Sequence, residues 1–371
     1  MINSAHQRFG GAVQVALSFI HEARRFSEID FVVIVGPGLR ASIKKDQFPA
    51  NFTFEYLDFG TLNFRKTIAI NKTLRLLEKE HKPNVIISTT GPTYFNSKAP
   101  QIIGFNLPLY IYPESPYLKE QNGYRRFRLF LKRAFHFFYF KRDASAYVTQ
   151  TEDVNQRVRK VLKTRNVHTV TNNASSLYTN WKTLPNKLPK RKPNEFRFIC
   201  VSAYYRHKNL EIIPEIIRIL RERGVHNIRF VLTLNENDLA KYIGDFPEIL
   251  NVGPVKPDEC PSLYSECDAL FLPTLAECFS ASYPEAMIMK KPIITTDLGF
   301  ARSICGKAAL FFEPKEPNHA STQIIKMIES ESLRNEMVKL GMEQLNQFDS
   351  PKSRAQKYID LCTQIANQTF N

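Results

Sequence analysis

The sequence has 371 residues, of which 43% are hydrophobic and 23% charged, and its formal net charge at pH 7 is +15. This length favours two domains, and the hydrophobic content excludes a disordered chain. No apolar run is long enough to span a bilayer, and the first residues lack the order of a signal peptide. The six cysteines have no paired metal-ligand spacing, which favours buried free thiols in a reducing cytoplasm over disulfides.

The positive charge is concentrated in the first half of the chain. Residues 1–180 contain 26 Lys and Arg against 13 Asp and Glu, a net charge of +13. Residues 181–371 contain 25 basic and 23 acidic residues, a net charge of +2. The first half is therefore expected to meet an acidic partner or a membrane surface more readily than the second.

Short apolar runs alternate with helical patterns along the whole chain. In the first half we predict helix 11–25, strands 31–35 and 52–57, helix 65–80, strands 85–88, 102–105 and 109–112, helix 125–141, strand 146–148 and helix 152–162. In the second half we predict strand 198–201, helix 212–223, strand 228–232, helix 261–266, strand 269–272, helix 284–289, strand 292–295, helices 322–329 and 333–344, and an amphipathic run at 353–365. This alternation predicts parallel sheets with crossover helices, in an α/β protein of two doubly wound, Rossmann-like domains.

A polar, proline-broken stretch separates the two α/β patterns and is typical of a linker. We therefore predict an N-terminal domain at 1–172, a linker at 173–195 and a C-terminal domain at 196–352. The remaining residues, 353–371, are predicted to form a helix that docks back on the N-terminal domain.

One segment combines a turn of small residues with two carboxylates. Residues 273–287 follow an apolar strand pattern and open a short helix pattern, with Glu277 and Glu285 on either side of the turn. A strand that ends in such a turn before a helix presents free backbone N–H groups to an anion, and nearby carboxylates can hold hydroxyl groups. A nucleotide-sugar site is one interpretation. A capping box is the other, because Ser282 and Glu285 have its spacing and Pro284 lies in the first turn.

Two further loops have the composition of ligand sites. The strand at 198–201 runs into a loop with Arg206 and Lys208, which suits a diphosphate, although a solvated basic loop would have the same composition. Gly10 and Gly11 precede the first helix, where they allow either a close approach of a ligand or an ordinary turn.

In this order, these segments resemble the family-4 glycosyltransferases of the GT-B architecture, and the resemblance covers nearly the whole chain. The matching segments are Gly10-Gly11, 170–173, 207–209, Gly253, 272–274, 277–287, 291–297 and 308–314. The chain departs from the family at Ala203, where an arginine is usual and which Arg206 is expected to replace, and at Cys278 and Ser280, where glycines are usual. The first strand is also reduced to residues 1–3.

The resemblance implies a GT-B fold, in which two Rossmann-like domains face a central cleft. It also implies transfer of a hexose-type sugar from a nucleoside-diphosphate sugar to an acceptor hydroxyl, with the anomeric configuration retained and no metal required. Lys208, with Arg206, is assigned to the diphosphate, Glu277 to the transferred sugar and Glu285 to the ribose. The remaining donor-binding positions that it implies are Gly10, Gly11, Phe279, Ser280, Ala281 and Ser282. The donor is expected to be UDP- or GDP-linked.

The stretch 124–142 carries seven Lys and Arg residues, no acidic residue and many aromatics. One interpretation is a helix at an anionic bilayer, and the other is a core helix whose charges are solvated. The bilayer interpretation would suit a lipid-linked saccharide acceptor in bacterial polysaccharide synthesis, such as O-antigen, capsule or lipopolysaccharide. It would also suit a peripheral position of the protein on the inner face of the cytoplasmic membrane. His6, Arg8 and Glu114 are candidate acceptor-side residues, each with the alternative of an ordinary polar loop residue.

Two competing hypotheses remain open at this stage. A GT-B sugar-nucleotide epimerase, or a nucleotide-sugar-binding protein without activity, would share the donor segments. A nucleic-acid-binding protein would account for the basic charge, but it explains nothing about residues 198–314, so no nucleic acid partner is expected.

Overall fold

The computed structural model describes residues 1–8, 10–60 and 63–370, and its elements alternate between strand and helix. The strands are β1 (Ile2–Ser4), β2 (Phe31–Val35), β3 (Phe52–Tyr56), β4 (Ile86–Ser88), β5 (Gln101–Gly104), β6 (Ala146–Thr149), β7 (Val167–Thr169), β8 (Phe196–Cys200), β9 (Ile228–Leu232), β10 (Ile249–Asn251), β11 (Ala269–Leu272), β12 (Ile293–Thr296) and β13 (Ala309–Phe312). The helices are α1 (Gly11–Ala23), α2 (Phe64–His81), α3 (Pro116–Lys119), α4 (Gly123–Asp143), α5 (Glu152–Leu162), α6 (Ile213–Glu222), α7 (Glu236–Tyr242), α8 (Cys260–Ser265), α9 (Ser282–Ile288), α10 (Gly299–Cys305), α11 (Pro317–Glu329), α12 (Glu331–Leu345) and α13 (Pro351–Phe370).

The chain divides into two compact units. Unit 1 comprises residues 1–111, 122–172 and 349–371, and unit 2 comprises residues 112–121 and 173–348. The short segment 112–121 therefore groups with the second half of the chain, and the C-terminal helix groups with the first.

Unit 1 is built on a parallel sheet of seven strands in the order β3-β2-β1-β4-β5-β6-β7. The helices α1 and α13 cover one face, where the rings of Phe19 and Tyr358 meet edge to face at 5.0 Å. Side chains of α2 and α4, among them Ile70 and Tyr139, pack on the other face with Ile34 and Ile86. The short strand β1 pairs with both β2 and β4, so three residues suffice to form the centre of this sheet.

Unit 2 is built on a parallel sheet of six strands in the order β10-β9-β8-β11-β12-β13. Strand β8 pairs with β9 on one side and with β11 on the other, so the winding direction reverses between β8 and β11. The prediction of an α/β protein with two doubly wound domains is confirmed. In sheets of this kind, ligands bind outside the carboxyl ends of the strands at the point of reversal.

Several elements differ from the prediction. The predicted strand at 109–112 is wrong, because Pro108 to Tyr110 form a 3₁₀ turn in which Tyr110 N–H donates to the Leu107 carbonyl. Proline lacks an N–H and fixes φ, and it favours the first turn of a helix over a central strand. Six short elements were not predicted, namely β7, β10, β13, α3, α7 and α10, and each has too few residues to show a clear period.

A polar network in unit 1 joins two of the places where the chain passes from one unit to the other, after Asn172 and before Asp349. The carboxylate of Asp349 accepts hydrogen bonds from the N–H (3.1 Å) and hydroxyl (2.8 Å) of Thr171, and from the hydroxyl of Ser353 (2.8 Å). The buried guanidinium of Arg354 donates to the Asn172 side chain and to Ser18 Oγ at 2.6 Å. These contacts fix the start of α13 to the end of the N-terminal sheet.

Candidate functional site

The candidate site lies at the carboxyl ends of β8 and β11, where the sheet of unit 2 reverses its winding. The loop after β8 carries residues 201–209, and the loop after β11 carries residues 273–281. The two loops are joined directly, because Leu275 N–H donates to the His207 carbonyl at 2.7 Å. Two buried threonines of β12 hold the second loop: Thr295 donates to the Leu272 carbonyl at 2.8 Å and Thr296 to the Thr274 carbonyl at 2.5 Å.

Lys208 and Glu277 meet at the centre of this site. The Lys208 ammonium donates to Glu277 Oε1, which also accepts from the Thr274 hydroxyl at 3.2 Å. Both side chains are largely buried, with 16% of Lys208 and 13% of Glu277 exposed. Two residues that are 69 positions apart in the chain thus place a cation and a carboxylate side by side, groups that can bind a phosphate and a hydroxyl respectively.

Glu285 lies on α9, which begins at Ser282. The N-cap is Ala281 with no side-chain cap hydrogen bond, so the capping-box interpretation of Glu285 is wrong. Burial raises the pKa of Glu285 to about 7, although the nearby hydroxyls of Tyr178 and Tyr264 oppose the rise. A carboxyl that titrates near neutrality and serves no structural cap is a candidate ligand group.

The other predicted donor positions surround these three side chains. Arg206 is exposed and is the first residue of a 3₁₀ turn that ends at Lys208. Ser280 is buried, and its carbonyl accepts from Tyr283 N–H, while the ring of Phe279 meets Phe348 edge to face at 5.9 Å. Residues 279–281 thus end the loop between β11 and α9, and with Ser282 they place backbone N–H groups at the start of a seven-residue helix.

The segment 112–121 also contacts the site loops, which the sequence did not indicate. The buried Ser115 hydroxyl donates to the Leu275 carbonyl at 2.8 Å, and the ring of Tyr117 lies edge-on to His207 at 6.2 Å. Burial lowers the pKa of His207, which keeps it neutral at pH 7. Glu114 lies exposed in the same segment of unit 2.

Gly10 and Gly11 lie in unit 1 at the start of α1. Gly10 has φ of 77° and ψ of −163°, a conformation that only glycine adopts readily. Gly11 has no atom within 4 Å of the place where a Cβ would stand. His6 and Arg8 are also in unit 1, where His6 Nε2 contacts the Thr93 carbonyl at 2.8 Å and Arg8 forms a 3.6 Å ion pair with Asp58.

Helix α4 leaves a stripe of apolar side chains in solvent. Tyr124, Phe127, Leu131, Phe135 and Phe138 recur at intervals of three and four residues and are all exposed. With Phe130 they make six of the eleven large hydrophobic side chains that are exposed in the described part of the chain.

The opposite edge of α4 packs on unit 1. His136 accepts or donates hydrogen bonds with the hydroxyls of Tyr110 (3.0 Å) and Tyr94 (3.2 Å), and burial lowers its pKa to about 4. Tyr139 and Phe140 are buried in the last turns. The core-helix interpretation therefore holds only for this edge and not for the exposed aromatic stripe.

Four residues near the site were not identified from the sequence as functional candidates. Tyr178 and Tyr264 approach Glu285, Thr274 contacts Glu277, and Ser115 supports the loop after β11. Of these four residues, only Thr274 could have been identified from the sequence, because it belongs to the 272–274 segment that resembles the family. The others have no local pattern that distinguishes them from core residues.

Comparisons with known proteins agree with this architecture. Residues 183–344, which lie within unit 2, match the family model described as "Glycosyl transferases group 1". An uncharacterised glycosyltransferase of Methanocaldococcus jannaschii is 25% identical over 215 residues, which cover 56% of this chain and 58% of that protein. The chain thus matches little more than half the length of this curated relative.

Two solved structures are similar over almost the whole chain. WaaG, a glycosyltransferase involved in lipopolysaccharide biosynthesis, has a TM-score of 0.71 and 14% identity, over 98% of this chain and 100% of that one. Anabaena HepE in complex with UDP-glucose has a TM-score of 0.69 and 15% identity, over 98% of both chains. At such identities the likeness concerns the fold. Together with the family match, it supports a glycosyltransferase of the GT-B fold.

The described residues also bear on membrane spans and metal sites. Among them, no helix is both long and apolar enough to cross a membrane. Nor do residues 1–8, 10–60 and 63–370 contain a group of three or more His, Cys, Asp and Glu side chains arranged for a metal ion. All six cysteines are buried and free.

Proposed function

We propose that this protein is a glycosyltransferase that moves a hexose-type sugar from a nucleoside-diphosphate sugar to a hydroxyl of a saccharide acceptor. The observation that carries the proposal is the contact of Lys208 with Glu277 at the reversal point of the second sheet. That contact puts one cation and one carboxylate on adjoining loops, and Glu285 supplies a second carboxyl on the helix that follows.

In the proposed reaction, charge develops on the departing diphosphate while the bond from the anomeric carbon to the phosphate oxygen breaks. The Lys208 ammonium, with Arg206 as a second cation, compensates this charge, and the largely buried setting strengthens the interaction. Backbone N–H groups at 279–282 add donors. Glu277 accepts hydrogen bonds from hydroxyls of the transferred sugar, and Glu285 accepts them from the ribose.

The acceptor hydroxyl forms the new bond to the anomeric carbon, and its proton passes to the leaving phosphate oxygen. We propose that the new bond forms on the face that the phosphate leaves, so the anomeric configuration is retained without a protein nucleophile. The charge of the diphosphate is met by protein cations, and we propose that the reaction needs no metal.

UDP and GDP donors are both compatible with a lysine, a helix start and two carboxylates. The UDP-glucose in the HepE complex makes a UDP-hexose the first donor to test. Gly10 and Gly11, whose backbone is open to close approach, are proposed as further donor contacts, and His6, Arg8 and Glu114 as acceptor-side residues.

We further propose that the acceptor is a lipid-linked saccharide of bacterial surface polysaccharide synthesis and that α4 holds the protein at the inner face of the cytoplasmic membrane. The exposed stripe of α4 supports this, because its aromatic rings are flanked by Arg125, Arg126, Arg128 and Lys132. Such a helix suits the boundary between acyl chains and anionic headgroups. The involvement of WaaG in lipopolysaccharide biosynthesis is in keeping with this class of acceptor.

The test is binding and turnover of nucleotide sugars by the purified protein. Titration calorimetry with UDP-glucose and GDP-mannose measures binding, and release of free nucleotide measures donor hydrolysis or transfer. We expect Lys208→Ala to reduce turnover about 100- to 1,000-fold, because it removes the principal charge opposite the leaving group.

Lys307→Ala is the matched control, since Lys307 is an exposed lysine of the same unit that precedes the edge strand β13. It should leave binding and turnover unchanged. If the wild-type protein binds neither nucleotide sugar, the proposed function is wrong. If a folded Lys208→Ala protein turns over donor at the wild-type rate, the assignment of the site is wrong.

A further inference from the structure

The segment 112–121 comes from the first half of the chain but belongs to unit 2. Both of its ends are held on that unit. The buried ring of Tyr112 meets the ring of Phe300 edge to face at 5.9 Å, and Glu120 forms an ion pair with Lys315. The segment therefore has a defined course over unit 2, although the chain before it and after it belongs to unit 1.

Ser115 lies in this segment at the N-cap position of α3, where a serine side chain usually accepts a hydrogen bond from the helix that follows. In this protein the side chain makes no such bond. Its hydroxyl donates instead to the Leu275 carbonyl at 2.8 Å, 160 positions further along the chain. Both residues are buried, with 1% of each exposed. The hydroxyl thus supports the loop after β11 rather than its own helix.

Leu275 is held through both of its backbone groups. Its N–H donates to the His207 carbonyl at 2.7 Å. Among the described residues, Ser115 is the one hydrogen-bond donor to its carbonyl. The ring of Tyr117, from the same segment as Ser115, lies edge-on to His207 at 6.2 Å. The segment therefore contacts both loops of the candidate site, and Leu275 is the residue through which these contacts are joined.

Glu277 lies two residues after Leu275 in the same loop. Its carboxylate accepts hydrogen bonds from the Thr274 hydroxyl at 3.2 Å and from the Lys208 ammonium. A buried carbonyl that loses its donor is costly. Without the Ser115 hydroxyl, the loop is therefore expected to adopt a conformation in which the Leu275 carbonyl finds another donor. Such a change would displace Glu277, because only one residue separates it from Leu275.

We propose that Ser115 is a positioning residue of the donor site, which acts through the Leu275 carbonyl to hold Glu277 in place. This inference rests on the proposed function, in which Glu277 binds the transferred sugar. It makes the 112–121 segment a component of the donor site, so that the site needs residues from both halves of the sequence.

The test is Ser115→Ala, which removes the hydroxyl and little else. The probes in titration calorimetry are UDP-glucose and UDP, or GDP-mannose and GDP if the wild-type protein binds the guanosine donor instead. We expect about a tenfold loss of affinity for the nucleotide sugar, because a displaced Glu277 no longer meets the sugar hydroxyls. The free nucleotide has no sugar for this carboxylate, and its affinity should fall by less than about threefold.

A second measurement does not depend on ligand. Hydrogen exchange of the Leu275 amide, which is bonded to the His207 carbonyl, reports local opening of the loop. The amide of Phe230 in β9, bonded to the Glu248 carbonyl at 2.7 Å, is the internal reference for the core of unit 2. In Ser115→Ala, the exchange rate of Leu275 relative to that of Phe230 should rise about tenfold.

Ser321→Ala is the matched control. Ser321 is fully buried on α11 in the same unit, and its hydroxyl also donates to a backbone carbonyl, that of Pro317 at 2.7 Å. Its loss should leave the affinities for both probes unchanged. The exchange rate of Leu275 relative to Phe230 should also stay at the wild-type value, whatever the change in unfolding temperature.

Wild-type affinity of Ser115→Ala for the nucleotide sugar would overturn the proposal, and so would an equal loss of affinity for the free nucleotide. Similar effects of Ser115→Ala and Ser321→Ala would leave only a packing role. Failure of the wild-type protein to bind any nucleotide sugar would instead refute the proposed function. Hydrogen exchange of the ligand-free protein still shows in that case whether Ser115 holds the loop after β11.

Discussion

At the scale of single residues, the ion pair between Lys208 and Glu277 leaves each side chain suited to a different part of one ligand. Removing either partner would leave the other charge largely buried without compensation, which is costly. A diphosphate can replace Glu277 as the partner of Lys208, and this frees the carboxylate to accept hydrogen bonds from a sugar. In the proposed function, the ion pair keeps both charges compensated until a donor binds.

The buried carboxyl of Glu285 reduces the stability of the folded protein when it is ionised. Its pKa is raised to about 7 in the folded protein, above the value of 4.5 usual for glutamate. Between these two pH values, the folded state therefore keeps a proton on this carboxyl that the unfolded state has lost. Folding stability contributed by this group therefore falls as the pH rises from about 4.5 to about 7. Above that range, the carboxylate opposes folding.

We predict that Glu285→Gln increases the free energy of unfolding of the ligand-free protein at pH 8 by about 1–3 kcal/mol, because the amide avoids the cost of burying a charge. The gain should vanish near pH 4, where the wild-type carboxyl is protonated in both states. Urea unfolding at the two pH values measures it.

The same variant should bind UDP-glucose more weakly, since an amide offers fewer acceptor sites to a ribose diol. Equal stability of both proteins at pH 8 would show that Glu285 is not desolvated as described.

At the scale of elements, α4 differs from an ordinary surface helix in the direction that its apolar side chains face. A surface helix turns its apolar stripe to the core. Helix α4 packs through the edge that carries His136, Tyr139 and Phe140, and it exposes most of its aromatic stripe. Arginine side chains lie over exposed rings, such as Arg128 over Tyr124 at 5.7 Å and Arg142 over Phe138 at 5.7 Å. The helix is therefore already formed, with its apolar and cationic groups adjacent, before any membrane contact.

We predict that replacing both Phe127 and Phe130 by serine reduces binding to vesicles of phosphatidylcholine with phosphatidylglycerol at least tenfold, because two large apolar side chains no longer enter the interface. Vesicle co-sedimentation measures the binding. Raising the salt concentration should weaken the wild-type binding, since it screens the attraction of the basic residues.

Leu76→Ser on α2 is the matched control for this experiment, because Leu76 is as exposed as Phe130, at 61% each, but lies outside α4. It should bind vesicles like the wild type. Equal loss in the control and in the double variant, or equal binding to neutral phosphatidylcholine alone, would contradict the role of α4.

At the scale of the whole molecule, the chain leaves unit 1 after Asn172 and returns at Asp349. Asp349 ties both passages together through Thr171, Ser353 and Lys357. Burial works against its ionisation, but these hydrogen bonds hold the pKa of Asp349 below its usual value. The stability that Asp349 contributes is therefore present above about pH 4 and is lost as the pH falls further.

We predict that Asp349→Ala lowers the free energy of unfolding at pH 7 by about 2–4 kcal/mol, because it leaves several buried donors without an acceptor. Thermal unfolding followed by circular dichroism measures the change. Asp360→Ala is the control: Asp360 is exposed on the same helix, where it accepts from Gln356 at 2.9 Å, and its loss should cost about 0.5 kcal/mol or less. Similar effects of both substitutions would argue against the anchoring role of Asp349.

Local patterns in the chain were enough to predict most of the helices and strands and the α/β class. The 11–25 and 152–162 helices and the 31–35 and 228–232 strands have strong periods bounded by turn residues, and the structure contains all four with nearly the same limits. Prediction failed at 109–112, where a proline outweighs the apolar run, and at short elements such as β7 and α10, whose few residues show no period.

The geometry of the candidate site, by contrast, could not be predicted from local patterns in the sequence. The sequence marked Lys208, Glu277 and Glu285 through motifs, but the contact between Lys208 and Glu277 exists because β8 and β11 pair side by side. Tyr178, Tyr264 and Ser115 reach the site across 21 to 160 positions of chain. Hydrophobic periods and turn residues act between near neighbours and can be read along the chain, whereas these contacts depend on strand order and packing, which arise only when distant segments close on one another.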